Sequence, residues 1–128
     1  MSMGYQKEEV RANAVFSEEG SGKQDELRVI IKHPGEKYGH ETTITNSLEA
    51  LQDAVGGFIE IVSCQFGRSR FLLICNEKGK LLDLEQNFRL QLDIICGTAI
   101  IAGEDSDEFG DVPISFSTWK RFLTQWGN

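Results

Sequence analysis

The chain has 128 residues, of which 40% are hydrophobic and 26% are charged. This size and composition are typical of a single soluble globular domain. Thirteen basic against 20 acidic residues give a net charge of −7, which argues against binding along nucleic-acid phosphates through a basic stripe. A basic protein partner, or a small anion held by a few local arginines, stays open. No apolar run approaches the ~20 residues that cross a bilayer, and no signal-peptide pattern is present. We therefore expect a cytoplasmic protein without membrane contact.

The chain divides near residue 26 into an N-terminal arm and linker (1–26) and one α+β domain (27–128). Residues 17–23 are rich in Ser, Gly and charge, as linkers are. For residues 6–15 a short helix and a mobile arm are equally good alternatives. If the arm is ordered, we expect it to pack on another subunit.

The first half of the domain predicts two strands and a helix. Residues 27–32 alternate in polarity and residues 42–45 are rich in β-branched side chains, so both segments predict strands. Asn46 and Glu49 have the spacing of a capping box at a helix start. Gly56 supplies a left-handed stop for that helix.

The second half predicts three further strands, at residues 58–64, 70–75 and 94–102, with an irregular connection over 81–92. The last two of these strands are apolar on both faces, so each needs two covering layers. Since only one other helix is visible, a subunit interface is the natural second cover, and we expect a homo-oligomer. The fold prediction is α+β, with a mixed or antiparallel sheet of about five strands and two helices.

The final helix is predicted from an apolar stripe with helical spacing. Ser117 is its predicted cap, and the stripe is more typical of a core than of a partner groove. The stripe consists of Trp119, Phe122, Leu123 and Trp126.

No metal, cofactor or catalytic residue is predicted. The three cysteines, Cys64, Cys75 and Cys96, lack metal-ligand spacing and indicate reduced thiols. The acidic run at 104–108 fails as a calcium loop, because Phe116 stands where the bidentate glutamate belongs. No nucleophile–base pair is recognisable, so we expect no enzymatic activity.

Four segments together resemble a known family. They are LQDAVGGFIE at 51–60, CNEKGK at 75–80, Asn87, and DIICGTA at 93–99. The run from 27 to 126, about four fifths of the chain, is similar to the domain-of-unknown-function family DUF3846 of Gram-positive bacteria, their conjugative plasmids and phages. The resemblance implies a small accessory protein of mobile elements and brings no assigned activity, substrate or catalytic residue.

Candidate ligand-binding residues lie on loops and turns. The pair Gly56-Gly57 follows a helix, so a helix stop explains it better than a phosphate nest, which would precede one. Loop cations could bind phosphate, and an asparagine could bind a base. The candidates are Arg68, Arg70, Asn76, Glu77, Lys78 and Asn87. The basic ones flank the fourth strand and need not form one patch.

These observations predict a non-enzymatic accessory protein of a phage or mobile element that counters host defence. Its predicted partner is a host protein or a small nucleotide ligand, and sequestration of a nucleotide immune signal between subunits is the leading hypothesis. One alternative is an acidic inhibitor that mimics nucleic acid. Another is an interaction module without a ligand.

Overall fold

The computed structural model describes residues 3–9, 25–90 and 93–126. The described strands are β1 (Met3–Glu9), β2 (Glu26–Lys32), β3 (His40–Thr45), β4 (Ile59–Phe66), β5 (Ser69–Asn76), β6 (Gln86–Leu90), β7 (Asp93–Cys96), β8 (Ala99–Asp105) and β9 (Glu108–Gly110). The described helices are α1 (Leu48–Val55) and α2 (Phe116–Trp126). The main sheet has the order β1-β4-β5-β8-β2-β3, β9 extends from β8, and β6 and β7 form a separate hairpin. All described strand pairs are antiparallel, which confirms the predicted α+β class with two helices.

The N-terminal segment contributes an edge strand to the main sheet. β1 pairs with β4 from Met3 opposite Phe66 to Glu9 opposite Glu60. A helix is therefore wrong for residues 6–9, because the open edge of β4 offers them backbone partners that a local pattern does not reveal. This segment pairs within its own chain, and its packing on another subunit stays a prediction. Residues 10–15 of the predicted helix and the linker at 17–23 lie outside the described part.

The two apolar faces of the sheet are both covered by the same chain. On β5, Phe71, Leu73 and Cys75 are buried on the face that packs against α2 and the β6–β7 hairpin. Leu72 and Ile74 are buried on the opposite face with α1. Since the second cover comes from within the chain, burial of these strands does not require a second subunit. A homo-oligomer stays a prediction.

The α2 stripe forms an aromatic core. Trp119 and Phe122 are completely buried, and the ring of Phe71 meets both edge-on, at centroid distances of 6.1 and 5.1 Å. Trp119 Nε1 also donates to the backbone oxygen of Tyr38 at 2.8 Å, which ties the β2–β3 loop to α2. The prediction of a core stripe is confirmed for Trp119, Phe122 and Leu123; the side chain of Trp126 lies outside the described part.

The cap residues of both helices lie one or two positions from the predicted ones. The Oγ of Ser47 accepts the N–H of Ala50 at 3.1 Å, so the cap of α1 is Ser47 and not Asn46. At α2, Ser115 Oγ accepts the N–H of Thr118 at 3.1 Å, so Ser115 takes the place expected for Ser117. The predicted stop of α1 is confirmed, since Gly56 has φ of 83° and its N–H donates to Gln52 O.

The segment from 81 to 102 differs most from its prediction. Gly97, with φ of 84°, separates β7 from β8, so the expected strand at 94–102 is two strands. Residues 86–90, expected to be irregular, form β6 and pair with β7. Their buried side chains, Phe88 and Leu90, alternate with exposed ones as a half-buried strand requires. The hairpin lies on the α2 face and closes it.

Candidate functional site

The structure separates the six predicted ligand-binding side chains into three places: Arg68 and Arg70, then Asn76, Glu77 and Lys78, then Asn87. The first two groups lie at opposite ends of β5, an eight-residue strand, which at ~3.3 Å per residue spans about 23 Å. Asn87 is on β6, in the hairpin outside the main sheet. These six residues therefore do not form one site.

The arginine end of β5 is engaged with neighbouring side chains. Arg70 Nε donates to Ser63 Oγ at 3.0 Å, and its Nη1 lies 3.2 Å from Glu104 Oε1. Arg68 lies in the β4–β5 turn beside Gly67, which has φ of 64°. The pairing with Glu104 offsets the charge of Arg70, so this end is a poor clamp for phosphate.

A cleft of about 510 Å³, here named the Phe58 cleft, lies where α1 ends and β5 ends. Its walls include Phe58 and Lys78, and two acidic side chains, Asp53 and Glu77. Phe58, predicted to begin a strand, instead precedes β4 and is 59% exposed. The volume suits a small molecule or a partner's side chain. Two carboxylates against one ammonium make it unfavourable for an anion.

The side chain of Asn76 links the two segments that form the Phe58 cleft. Its side chain is buried, its Nδ2 donates to Val55 O at 3.1 Å, and its Oδ1 accepts the N–H of Lys78 at 2.8 Å. Gly57 is needed beside it, because a Cβ there would lie 2.9 Å from Asn76 Nδ2. The amide of Asn76 thus joins the end of α1 to the turn after β5, which is a positioning role.

A second cleft, here named the Lys32 cleft, contains Asn87. It has a volume of about 350 Å³ and lies between the end of β2, the β2–β3 loop, β6 and α2. The loop contributes Glu36, Lys37 and Tyr38, whereas α2 contributes the neutral Leu123 and Thr124.

Lys32 is the unusual residue of this second cleft. Its side chain points to the same face as the buried Ile30 and is only 3% exposed. Its Nζ donates to Asn87 Oδ1 at 2.6 Å and lies 5.6 Å from the centroid of the Phe88 ring. No ion pair joins Lys32 to a carboxylate of the described residues. Burial lowers the pKa of Lys32, and the charge of Glu36 opposes that change.

Asn87 fixes the direction of the Lys32 ammonium group. The amide nitrogen of Asn87 donates to the backbone oxygens of Lys32 at 2.7 Å and of Gly97 at 2.8 Å. Since both amide protons are used by the backbone, Oδ1 must face Lys32. That hydrogen bond occupies one of the three N–H groups of the ammonium, so the buried charge retains donors for a bound anion.

The sequence could not single out Lys32. Within residues 27–32 the alternation puts Arg28, Ile30 and Lys32 on one face, a pattern that fits a wet face of a half-buried strand. Only the packing of β6 and α2 over its end buries the lysine. Asn87, in contrast, was found through the family pattern.

Cys64 is buried in the core on the face of the sheet that packs against α2. Burial raises the pKa of Cys64 to about 12, so its thiol stays protonated at ordinary pH. Among the described residues, no group of three or more His, Cys, Asp or Glu side chains could hold a metal ion. In the same part of the chain, no helix is long and apolar enough to cross a membrane.

Comparison with known proteins identifies a matching family. The family model described as a domain of unknown function (DUF3846) matches residues 27–126. Among curated proteins and among solved structures, no match to the chain was found. The matched region covers β2 to α2 and therefore both clefts.

Proposed function

The chain belongs to the domain-of-unknown-function family DUF3846, and we propose that it is a non-enzymatic protein that binds and sequesters a small nucleotide signal. The Lys32 cleft is its binding site. As an accessory protein of a phage or mobile element, it would counter host defence by lowering the free concentration of that signal.

One observation carries this proposal: a buried lysine with unused N–H donors lies at a cleft of ligand size. A buried cation without a counter-ion is costly, and an anion bound beside Lys32 would offset that cost. Asn87 already holds the Lys32 ammonium group in one orientation, which lowers the entropic cost of ordering this side chain when a ligand binds. Lys37 adds a second cation to the cleft wall.

The test is a search for a retained or added ligand. Native mass spectrometry of protein purified from its host should show a bound small molecule that heating releases. Added nucleotides, among them cyclic nucleotides and ADP-ribose derivatives, should raise the melting temperature of the wild type but not of Lys32→Met. If no ligand is released and no nucleotide shifts the melting temperature, the proposal is wrong.

A second candidate function is an interaction with a host protein through the Phe58 cleft. Phe58 and Leu82 are 59% and 56% exposed, an uncommon pairing beside a cleft. Asp53 and Glu77 at its rim favour a basic partner segment, as the acidic-inhibitor alternative also requires.

This second function predicts that Phe58→Asp abolishes binding to the host protein that co-purifies with the wild type. Leu81→Asp is the matched control, because Leu81 is 84% exposed and lies outside the Phe58 cleft. Equal loss of binding in both variants, or in neither, would exclude the Phe58 cleft as the contact.

A further inference from the structure

The charges that line the Phe58 cleft restrict the chemistry of the partner that it can hold. Two carboxylates, Asp53 and Glu77, stand against one ammonium group, that of Lys78, so the lining has a formal charge of −1. Within the described residues, no ion pair joins either carboxylate to a cation. Both carboxylates can therefore pair with a cationic group from outside the chain.

The end of α1 adds negative potential at the same place. Gln52 and Asp53 in the last turn, with Gly56 after it, line the cleft, so the C-terminal end of the helix faces it. The last carbonyl groups of a helix carry the negative end of its dipole, which favours a cation. The last turn of α1, which the structure describes in full, has no basic side chain to offset this potential.

Two exposed apolar side chains, Phe58 and Leu82, lie beside these charges in the lining. The N–H of Glu77 donates to Phe58 O at 3.0 Å, so the aromatic ring and one carboxylate are carried by backbone segments that are bonded to each other. Among the described residues, no cation lies over the Phe58 ring. An aromatic face of this kind attracts a cation from a partner.

The guanidinium group of arginine fits this combination better than the ammonium group of lysine. It is planar and weakly hydrated, so it stacks on an aromatic ring while its N–H groups pair with carboxylates. A lysine ammonium group is a compact, strongly hydrated charge and does neither as well. The volume of about 510 Å³ leaves room for the backbone beside the arginine, and the exposed Leu82 favours an apolar neighbour. These features indicate a protein segment.

We propose that the Phe58 cleft binds an arginine side chain of a partner protein, with the guanidinium group stacked on the Phe58 ring and paired with Asp53 and Glu77. An apolar side chain next to that arginine packs on Leu82. This inference rests on the second candidate function and specifies which residue the host protein presents to the cleft.

The experiment is an NMR titration of the full chain with matched synthetic peptides. Each is a short Gly/Ser peptide with a central Arg, Lys or citrulline between two leucines, and free arginine is a further probe. The Arg peptide should shift the backbone amide signals of Gly56, Gly57 and Glu77 until they saturate. Citrulline keeps the shape and removes the charge, so its peptide should bind at least about tenfold more weakly. The Lys peptide should bind about threefold more weakly than the Arg peptide.

Variants separate the cleft from general surface charge. Phe58→Leu keeps an apolar side chain and removes the ring, so it should weaken binding of the Arg peptide about two- to fivefold. Asp53→Asn combined with Glu77→Gln should weaken it about tenfold. Lys78→Gln removes the opposing cation and should tighten binding about twofold, an effect that damage to the fold would not produce. Glu49→Gln, an exposed carboxylate of α1 outside the lining, is the matched control and should leave binding unchanged.

The outcomes distinguish this inference from the second candidate function. Equal binding of the Arg and Lys peptides overturns recognition of guanidinium, and free arginine that binds as tightly as the Arg peptide overturns a protein segment as its source. If the Arg peptide does not bind, or if Phe58→Leu and the double variant leave its binding unaltered, the inference is wrong. The second candidate function is judged separately, by whether Phe58→Asp loses the co-purifying host protein.

Discussion

The contribution of Lys32 to the stability of the protein depends on pH. Its pKa is lowered by burial from the usual 10.5, so between the two values the unfolded chain binds more protons than the folded one. Stability contributed through this residue therefore rises as pH increases across that window. It is lowest below the folded-state pKa, where the charged ammonium must be buried.

We predict that the free energy of unfolding of the wild type, relative to that of Lys32→Met, increases as pH is raised towards 10.5, the usual pKa of lysine. The difference between the two proteins removes the titration of all other shared groups. Urea denaturation at several pH values measures it. Equal pH dependence in the two proteins would contradict the burial of a charged Lys32.

Asn76 has a structural role at the Phe58 cleft that substitution can test. Asn76→Ala leaves Val55 O and the N–H of Lys78 without their side-chain partner. Loss of partners for buried polar groups costs ~1–3 kcal/mol each, so we predict destabilisation of at least about 1 kcal/mol. The neighbouring Glu77→Ala, which keeps the backbone bond to Phe58 O, should change stability by less than ~0.5 kcal/mol. Chemical denaturation measures the free energy of unfolding of both variants. A similar loss of stability in the two would argue against the structural role of Asn76.

At the scale of elements, helix starts are decided by one hydroxyl among several candidates. Ser115 and Ser117 lie two residues apart, and the two Oγ atoms are 3.1 Å from each other. Only Ser115 Oγ accepts a backbone N–H of α2, that of Thr118. Local sequence cannot choose between the two serines, because the choice depends on where Val112 and Ile114 are anchored in the core.

We predict that Ser115→Ala destabilises the protein by ~1 kcal/mol, the usual cost of losing a cap. Ser117→Ala is the matched control and should cost much less, since Ser117 is exposed and its hydroxyl contacts only the cap. Thermal melting of the two variants measures the difference. A larger loss of stability in Ser117→Ala than in Ser115→Ala would mean that Ser117 is the cap of α2, as the sequence predicts.

Elements whose signal is local could be predicted, and those that need a distant partner could not. α1 carries its own stop at Gly56, and β5 is recognisable from five consecutive apolar residues, 71–75. β1 is polar and becomes a strand only by pairing with β4, more than 50 residues away. β6 likewise needs β7 as its partner.

The same distinction applies to the candidate site. Asn87 and Asn76 were marked by the family pattern, although the structure gives both a positioning role. Lys32 was missed because a lysine in an alternating strand is ordinarily exposed. Its burial results from tertiary packing, in which β6 and α2 close over the end of β2.

At the scale of the whole molecule, the two edges of the main sheet differ. β3 forms one edge and presents mostly exposed polar side chains, among them His40 and Glu41, which discourage pairing with another chain. The other edge is β1, which pairs with β4 along seven positions. β4 is largely buried and apolar, so without β1 it would offer an unprotected edge.

We predict that deletion of residues 1–9 lowers the melting temperature and increases self-association through β4, because unpaired backbone groups of an apolar edge strand recruit another edge. Sedimentation velocity at several concentrations should show a larger average mass for the shortened chain than for the full chain. A synthetic peptide with the sequence of β1 should reverse the association, since it restores the missing strand. Identical sedimentation of the two chains would mean that β4 is protected in another way. A shortened chain that still binds a nucleotide would show that β1 is not required for nucleotide binding.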